Sequence, residues 1–387
     1  MKNEEAVIET LADHVNRALL GAVNGEVGIE VEVEGNNLPT RIGAGGIWKA
    51  TKDNSLRGES MEYIFNGPKP RDVVDKYVDA LFKVFEGTGA VLNESHRTSV
   101  HVHLNVSDLR VYDVCNIFTL YSIIEDFLIP FCGPQRKGNL FCLRMKDAQY
   151  VIDKFKKMLL CGSFYRLAGD DIRYAGLNLD ACRKYGSVEF RAMRGLTTPG
   201  PIKQWVSVLL EIKDAAVNNF RSPREMVEQV SMLGAEGFLR SIFSEDNFNT
   251  LFACFNEAGE STVQDVCYQG SRLMQEFAYT FDIPIAKARA MVADGTVNQV
   301  QGTKTGKMMW DEVVEVAVRN QRNINFDGQV LRPRGNPFNE IPVGWGAAPD
   351  APAVFMDDLE PEDDDNDVDD RDGFEDDIHP DEEEDEE

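Results

Sequence analysis

The sequence predicts a mixed α+β layer architecture in which several strands share one polar, ligand-bearing face. Three observations lead there. Residues 98–106 alternate His101, His103 and Asn105 with Val100, Val102, Leu104 and Val106. On a strand successive side chains point to opposite faces, so the imidazoles lie on one side and the apolar residues on the other. Residues 28–34 and 187–191 repeat the design, with Glu30, Glu32 and Glu34 alternating with Ile29, Val31 and Val33, and with Glu189 and Arg191 in Ser-Val-Glu-Phe-Arg. Finally, strand-like and helix-like patterns follow one another along the chain, the mark of layered helices and strands.

Taken in order, residues 4–20 place Val7, Leu11, Val15 and Leu19 at helical spacing, with Gly21 as a C-cap. The first Glu strand follows at 27–34. The loop 35–46 is rich in Gly and Asn, contains Arg41, and is irregular enough to lie over a ligand. Asp53-Asn54-Ser55 reads as a turn, and residues 60–65 as a strand with Ser60, Glu62 and Ile64 on one face. Glutamate is depleted in strands, so Glu62 asks for a reason. A helix is expected over 70–85, ended by Gly87. Beyond the His strand, Ser107 and Asp108 cap a long helix running to about Leu128 and stopped by Pro130 and Gly133. Then come a polar turn at 134–139, a helix over 146–160, a strand over 173–179, a turn at 184–186, the strand around Glu189, and a helix over 201–219. From Ser222-Pro223, a cap with proline at the first helical position, the chain reads as mostly helical to about Asn320. Residues 333–352 form a Pro- and Gly-rich strap.

Charge is unevenly placed. The net charge is −26, and residues 357–387 hold 21 acidic residues against Arg371 alone, so this tail carries −20 of it. Such a polyanion cannot bury enough apolar surface to fold and is expected to be disordered. Its sign excludes binding of phosphate backbones by the tail, no nucleic-acid partner is expected, and a basic protein partner or modification of the tail's glutamates is left open. The domain expectation is therefore an N-terminal helix (1–21), a catalytic body (22–220), a mostly helical extension (221–345), and a linker with the acidic tail (346–387). Seven scattered cysteines without a CxxC pair read as reduced thiols. The acidic N-terminus lacks the features of a signal peptide, and no apolar run approaches the roughly 18 residues that span a bilayer, so a cytoplasmic, membrane-free protein is expected.

Transfer of a γ-phosphoryl group needs divalent metals on phosphate oxygens, cations that neutralise developing charge, and an oriented nucleophile. Glu30, Glu32, Glu62, Glu189 and His101 supply ligands that a hard cation such as Mg²⁺ accepts, and Arg136 and Arg191 supply cations. Plainer readings stand beside these. Alternating glutamates also mark solvated faces, His101 and His103 also make half a zinc site, and Arg136 could cap the preceding helix. Arg191 could simply pair with Glu189, and Asn178 could support a turn. Residues 302–308 resemble a P-loop, yet the spacing is one residue short and Met308 stands where a Ser or Thr would bind metal.

Together the motifs resemble the glutamine-synthetase-like carboxylate-amine ligases, in particular the amidoligases found in many bacteria and phages. The resemblance rests on Gly28-x-Glu30-x-Glu32, on Asp53-x-Ser55 followed by Glu62, and on His101-x-His103-x-Asn105. It is completed by Arg136-x-x-Asn139, Asn178, Glu189-x-Arg191 and the trailing Gly195. It covers roughly residues 27–220. The resemblance implies an antiparallel sheet curved into a trough, the glutamine synthetase catalytic type, with ATP entering one end and a carboxylate the other. Glu30, His101 and Glu189 would hold one Mg²⁺ and Glu32 and Glu62 another. Arg136 and Arg191 would face the γ-phosphate, Asp53 would accept the amine's proton, and His103, Asn105 and Asn178 would join Arg136 around the nucleotide. The expected reaction joins a carboxylate to an amine, on a peptide, protein or cell-wall fragment, in a chain that could form a homo-oligomer and would act in the host cytoplasm if phage-encoded. The competing expectation, from another class, is a non-catalytic scaffold that assembles with a basic partner through the tail.

Overall fold

Alternation in the Glu and His stretches produces β1 (Val27–Asn36) and β5 (Ser99–Asn105), which pair antiparallel with Glu30 opposite His101 and Gly28 opposite His103. The computed structural model describes residues 25–42, 46–53, 55–107, 109, 111–161 and 174–293, giving only the backbone path at 111, 157–161, 183–184 and 283–293. The expected helix at 4–20, the Gly- and Lys-rich loop at 302–308, the strap at 333–352 and the acidic tail lie outside the described residues. All described residues fall within one compact unit, Met1–Arg334.

On the far side of β1, β3 (Ser60–Phe65) sets Glu62 opposite Glu32, and β2 (Trp48–Thr51) pairs with β3. On the far side of β5 lie β7 (Ser187–Arg194) and the two-residue β6 (Leu177–Asn178). The order is β2-β3-β1-β5-β7-β6, with β4 (Val91–Asn93) on the end of β1, and every pairing is antiparallel. The fold is thus α+β with an open antiparallel sheet. One face is apolar: Val27, Val31, Val100, Val102, Leu104 and Phe190 are wholly buried. Each such side chain stabilises the fold by about 1.5–3 kcal/mol relative to exposure.

Eight α-helices cover that apolar side and extend from it among the described residues: α1 (Arg71–Thr88), α2 (Val111–Cys132), α3 (Gln149–Cys161), α4 (Asp180–Tyr185), α5 (Pro199–Asn218), α6 (Pro223–Arg240), α7 (Glu245–Ala258) and α8 (Val263–Ala293). Helix α2 is the hub, packing against β7, α5, α6, α7 and α8. By composition its segment Tyr112–Cys132 is long and apolar enough to cross a membrane, which the lack of an uninterrupted apolar run did not suggest; 83% of that window is buried inside the fold. At Gly270 of α8 a Cβ would lie 2.2 Å from the carbonyl oxygen of Ile123, so only glycine lets α8 approach α2 this closely.

Several boundaries differ from expectation for local reasons. Helix α1 passes through Gly87 and ends at Gly89, which takes the left-handed conformation with φ 66°. Helix α2 continues past Pro130 and ends two residues later at Cys132. Helix α3 starts three residues late, because the Met145 N–H donates to the buried Glu125 carboxylate at 2.6 Å and holds residues 144–148 in turns. The turn expected at 184–186 is instead the end of a short helix, α4, closed by Gly186 at φ 68°.

Candidate functional site

Register gathers the polar side chains. Because the side-chain period of a strand is two, Glu30 and Glu32 of β1, Ser99, His101 and His103 of β5, Glu62 of β3, Glu189 of β7 and Asn178 of β6 all emerge on the face opposite the apolar core. Glu189 is opposite both His103 and Asn178. Between Val100 and Val102 the β5–β7 register shifts, so Arg191 and Ala192 together face His101. Such a bulge re-aims a side chain.

Two groups of ligand atoms form on this face. Glu30, His103 and Glu189 bring one atom each within 4.8 Å of one another, and Glu32, Asp53 and Glu62 do the same. His101 joins them. Its Nδ1 lies 3.1 Å from Glu30 and 3.6 Å from Glu189, and its Nε2 lies 2.7 Å from Ser99 Oγ and 3.9 Å from Glu32. Ser99 in turn donates to Glu32. His103 Nδ1 is 3.0 Å from Ser187 Oγ, which leaves Nε2 buried, 3.3 Å from Glu30 Oε1 but without an aligned hydrogen bond. With Glu30 and Glu189, the His103 ring makes a donor set of the kind a divalent cation completes.

Residues 73–213 match the family model of the "putative amidoligase enzyme". No curated protein matches the chain. The matched segment contains β5, β6 and β7 with His101, His103, Asn178, Glu189 and Arg191, together with Arg136. Glu30, Glu32, Asp53 and Glu62 precede it: Glu30, Glu32 and Glu62 reach the same face through the β1 and β3 pairings, and Asp53, in the turn after β2, joins Glu32 and Glu62. The match agrees with the family that the motifs resemble.

Electrostatics show what this face holds in tension. Burial disfavours the Glu30 carboxylate, but the charge of His103 and the hydrogen bond and charge of His101 outweigh it and hold the carboxyl well below its usual range. Burial likewise disfavours ionised Glu189, and Arg191, His103 and His101 lower it nonetheless. Glu62 has no such relief: burial first, then repulsion from Glu30, Glu32 and Asp53, raise it to about 8. His103 is pushed down by burial and up further by Glu30 and Glu189, for a net rise. Arg191, penalised by burial, is held charged by Glu189 and Glu32. Its Nη1 donates to Glu189, while its buried Nε has no hydrogen-bond partner among the described residues.

The remaining sequence candidates take supporting places. Arg136 is 1% exposed and neither caps α2 with its side chain nor reaches the carboxylates: Nε donates to the Ala192 carbonyl at 3.1 Å and Nη2 to the Arg191 carbonyl at 2.7 Å. Asn178 donates to Glu189 at 2.6 Å and accepts from the Asp180 N–H at 2.9 Å, so it orients a carboxylate and starts α4 at once. Asn105 closes the end of β5 on the Gly25 carbonyl at 2.8 Å. Asn139 ties its turn to the His96 carbonyl. Asp53 accepts from the Ser55 N–H at 2.7 Å, as its turn predicts, and also stands in the second ligand group. Glu34 and Glu59, the carboxylates without a place in the motifs, hold the backbone N–H groups of Arg57 and Leu38. Sequence reasoning missed Ser99 and Ser187. The signal was present, since each lies two residues from a singled-out side chain on the same strand face.

Proposed function

We propose that the chain is an ATP- and Mg²⁺-dependent ligase that joins a carboxylate to an amine through an acyl phosphate, on an antiparallel sheet of the glutamine synthetase catalytic type. The observation that carries this reading is the convergence of five carboxylates, Glu30, Glu32, Asp53, Glu62 and Glu189, with two imidazoles and the Arg191 guanidinium on one sheet face. So dense a negative charge calls for cations, and oxygen and imidazole donors suit Mg²⁺. Bound there, the cations would supply the positive charge that phosphoryl transfer needs.

The chain's own groups account for the rest. Glu30, His103 and Glu189, with His101 beside them, would hold one ion, and Glu32 and Glu62 the other, with Asp53 next to them. Arg191 offers its unpaired Nε to a phosphate oxygen while Glu189 fixes the guanidinium. Arg136, by clamping the bulge carbonyls, keeps Arg191 aimed. The substrate carboxylate oxygen takes the phosphoryl group and ADP departs; the amine nitrogen then bonds to the acyl carbon and phosphate leaves with the acyl oxygen. Asp53, half-buried at the edge of the face, accepts the proton the amine sheds.

Calorimetry of ATP with Mg²⁺ against the purified protein tests this. Wild type should bind only with Mg²⁺ present, and Glu30→Gln and Glu189→Gln should abolish the heat while circular dichroism stays unchanged. Undiminished binding by both variants would remove the assignment of these carboxylates.

A further inference from the structure

Tyr185 is 53% exposed, yet its ring meets the His103 imidazole edge to face, with centroids 5.8 Å apart at 85°. The exposed aromatic side chains among the described residues are Tyr185 and Tyr268, and Tyr185 is the one in ring contact with the carboxylate face. Its root is rigid. Tyr185 ends the six-residue α4, Gly186 follows in the left-handed conformation, and the Gly186 carbonyl accepts the Val106 N–H at 2.8 Å, pinning the turn to the end of β5. At its other end α4 is tied to the site through Asn178, which holds Glu189.

The polar face of the sheet therefore has unlike ends. Beside Glu32, Asp53 and Glu62 it is acidic, whereas beside Glu30, His103 and Glu189 it is bordered by a half-exposed phenol. A nucleotide has unlike ends too: phosphates that need cations and a base that is neutral, planar and largely apolar on its faces. Aromatic side chains stack on any base, because every base has a π-face, and tyrosine does so at low entropic cost.

Resting on the ligase reading above, we propose that Tyr185 is the platform for the nucleotide's base, with the phosphates running from it toward Arg191 and the two ligand groups. The Asp53–Glu62 end is then left for the carboxylate and the amine.

Calorimetry on the full chain, in Mg²⁺, with ADP and separately with inorganic tripolyphosphate, tests the platform. Wild type should bind both. Tyr185→Ala should weaken ADP roughly tenfold or more, the scale of one lost base stack, while tripolyphosphate changes less than about twofold and Tyr185→Phe keeps ADP affinity. Because the side chain is half-exposed, these variants leave the core untouched. Equal ADP affinity in Tyr185→Ala overturns the platform, as does parallel loss of both ligands. If wild type binds tripolyphosphate but Tyr185→Ala and wild type do not differ toward ADP, the platform fails and the ligase reading stands. If wild type binds neither ligand, the ligase reading itself fails and the platform with it.

Discussion

Arg136 carries a full charge into the interior and spends its donors on two consecutive carbonyls, those of Arg191 and Ala192. A bulge turns these carbonyls out of the regular ladder, and the fork geometry of a guanidinium suits a pair of adjacent acceptors. Arg136→Met is expected to lose about 3 kcal/mol or more, since hydrogen bonds from a charged donor contribute roughly 1.5–3 kcal/mol each. Arg136→Lys should recover less than half of that, because one ammonium cannot span both carbonyls. Urea unfolding midpoints measure both, and an unchanged midpoint in Arg136→Met would show the clamp to be idle. This role was not legible in the sequence, where Arg136 follows a long helix and reads as a cap or a phosphate contact. Alternation identifies the face a side chain occupies, and it did so for Glu30, Glu32, Glu62, His101, His103 and Glu189. It does not say which imidazole meets which carboxylate. That depends on stagger between strands, which set His103 into a group with Glu30 and Glu189 and His101 between both groups.

At the scale of elements, α2 and α8 determine how closely the helical layer can pack. Gly270→Ala drives a Cβ to within 2.2 Å of the Ile123 carbonyl oxygen, so the helices must separate. A loss of about 3 kcal/mol, at the upper end for overpacking, is expected in thermal or urea melts. The same helix carries Glu125, raised to about 8 chiefly by burial and only partly relieved by the Met145 N–H. Below the unfolded value of 4.5 both states are protonated and burial is unopposed. As pH rises from there through about 8, the unfolded chain ionises first, so this group's contribution to stability is progressively lost. Glu125→Gln should therefore flatten the fall in Tm between pH 5 and 9, and an unaltered slope would show that the carboxyl is not held neutral. Long periodic elements were legible from spacing alone, including α2, whose buried face extends almost all round. The short β2, β4 and β6 and the helix α4 were not fully legible, because two to six residues carry too little periodicity and form only where β3, β1 and β7 offer them partners.

Across the whole molecule, the sheet confines like charges on one face while helices and apolar side chains seal the other. In the metal-free protein that arrangement opposes folding at Glu62, whose carboxyl is raised by burial and by three neighbouring carboxylates. Divalent cations bound to the folded face alone would reverse the balance, adding RT ln(1 + [L]/Kd), about 2.7 kcal/mol at a hundredfold excess over Kd. Mg²⁺ or Mn²⁺ should thus raise Tm by a few degrees. Glu62→Gln makes the test sharp, because its two effects have opposite signs. Removing one of four crowded carboxylates should raise the metal-free Tm above wild type, and the same loss of a ligand should shrink the metal-induced shift. Differential scanning fluorimetry with and without Mg²⁺ reads both numbers on the same samples. A carboxylate that is only part of a solvated face would give neither effect, and one that merely stabilises the fold would lower the metal-free Tm. Only a ligand held among its own kind by the β1–β3 register raises one value while reducing the other.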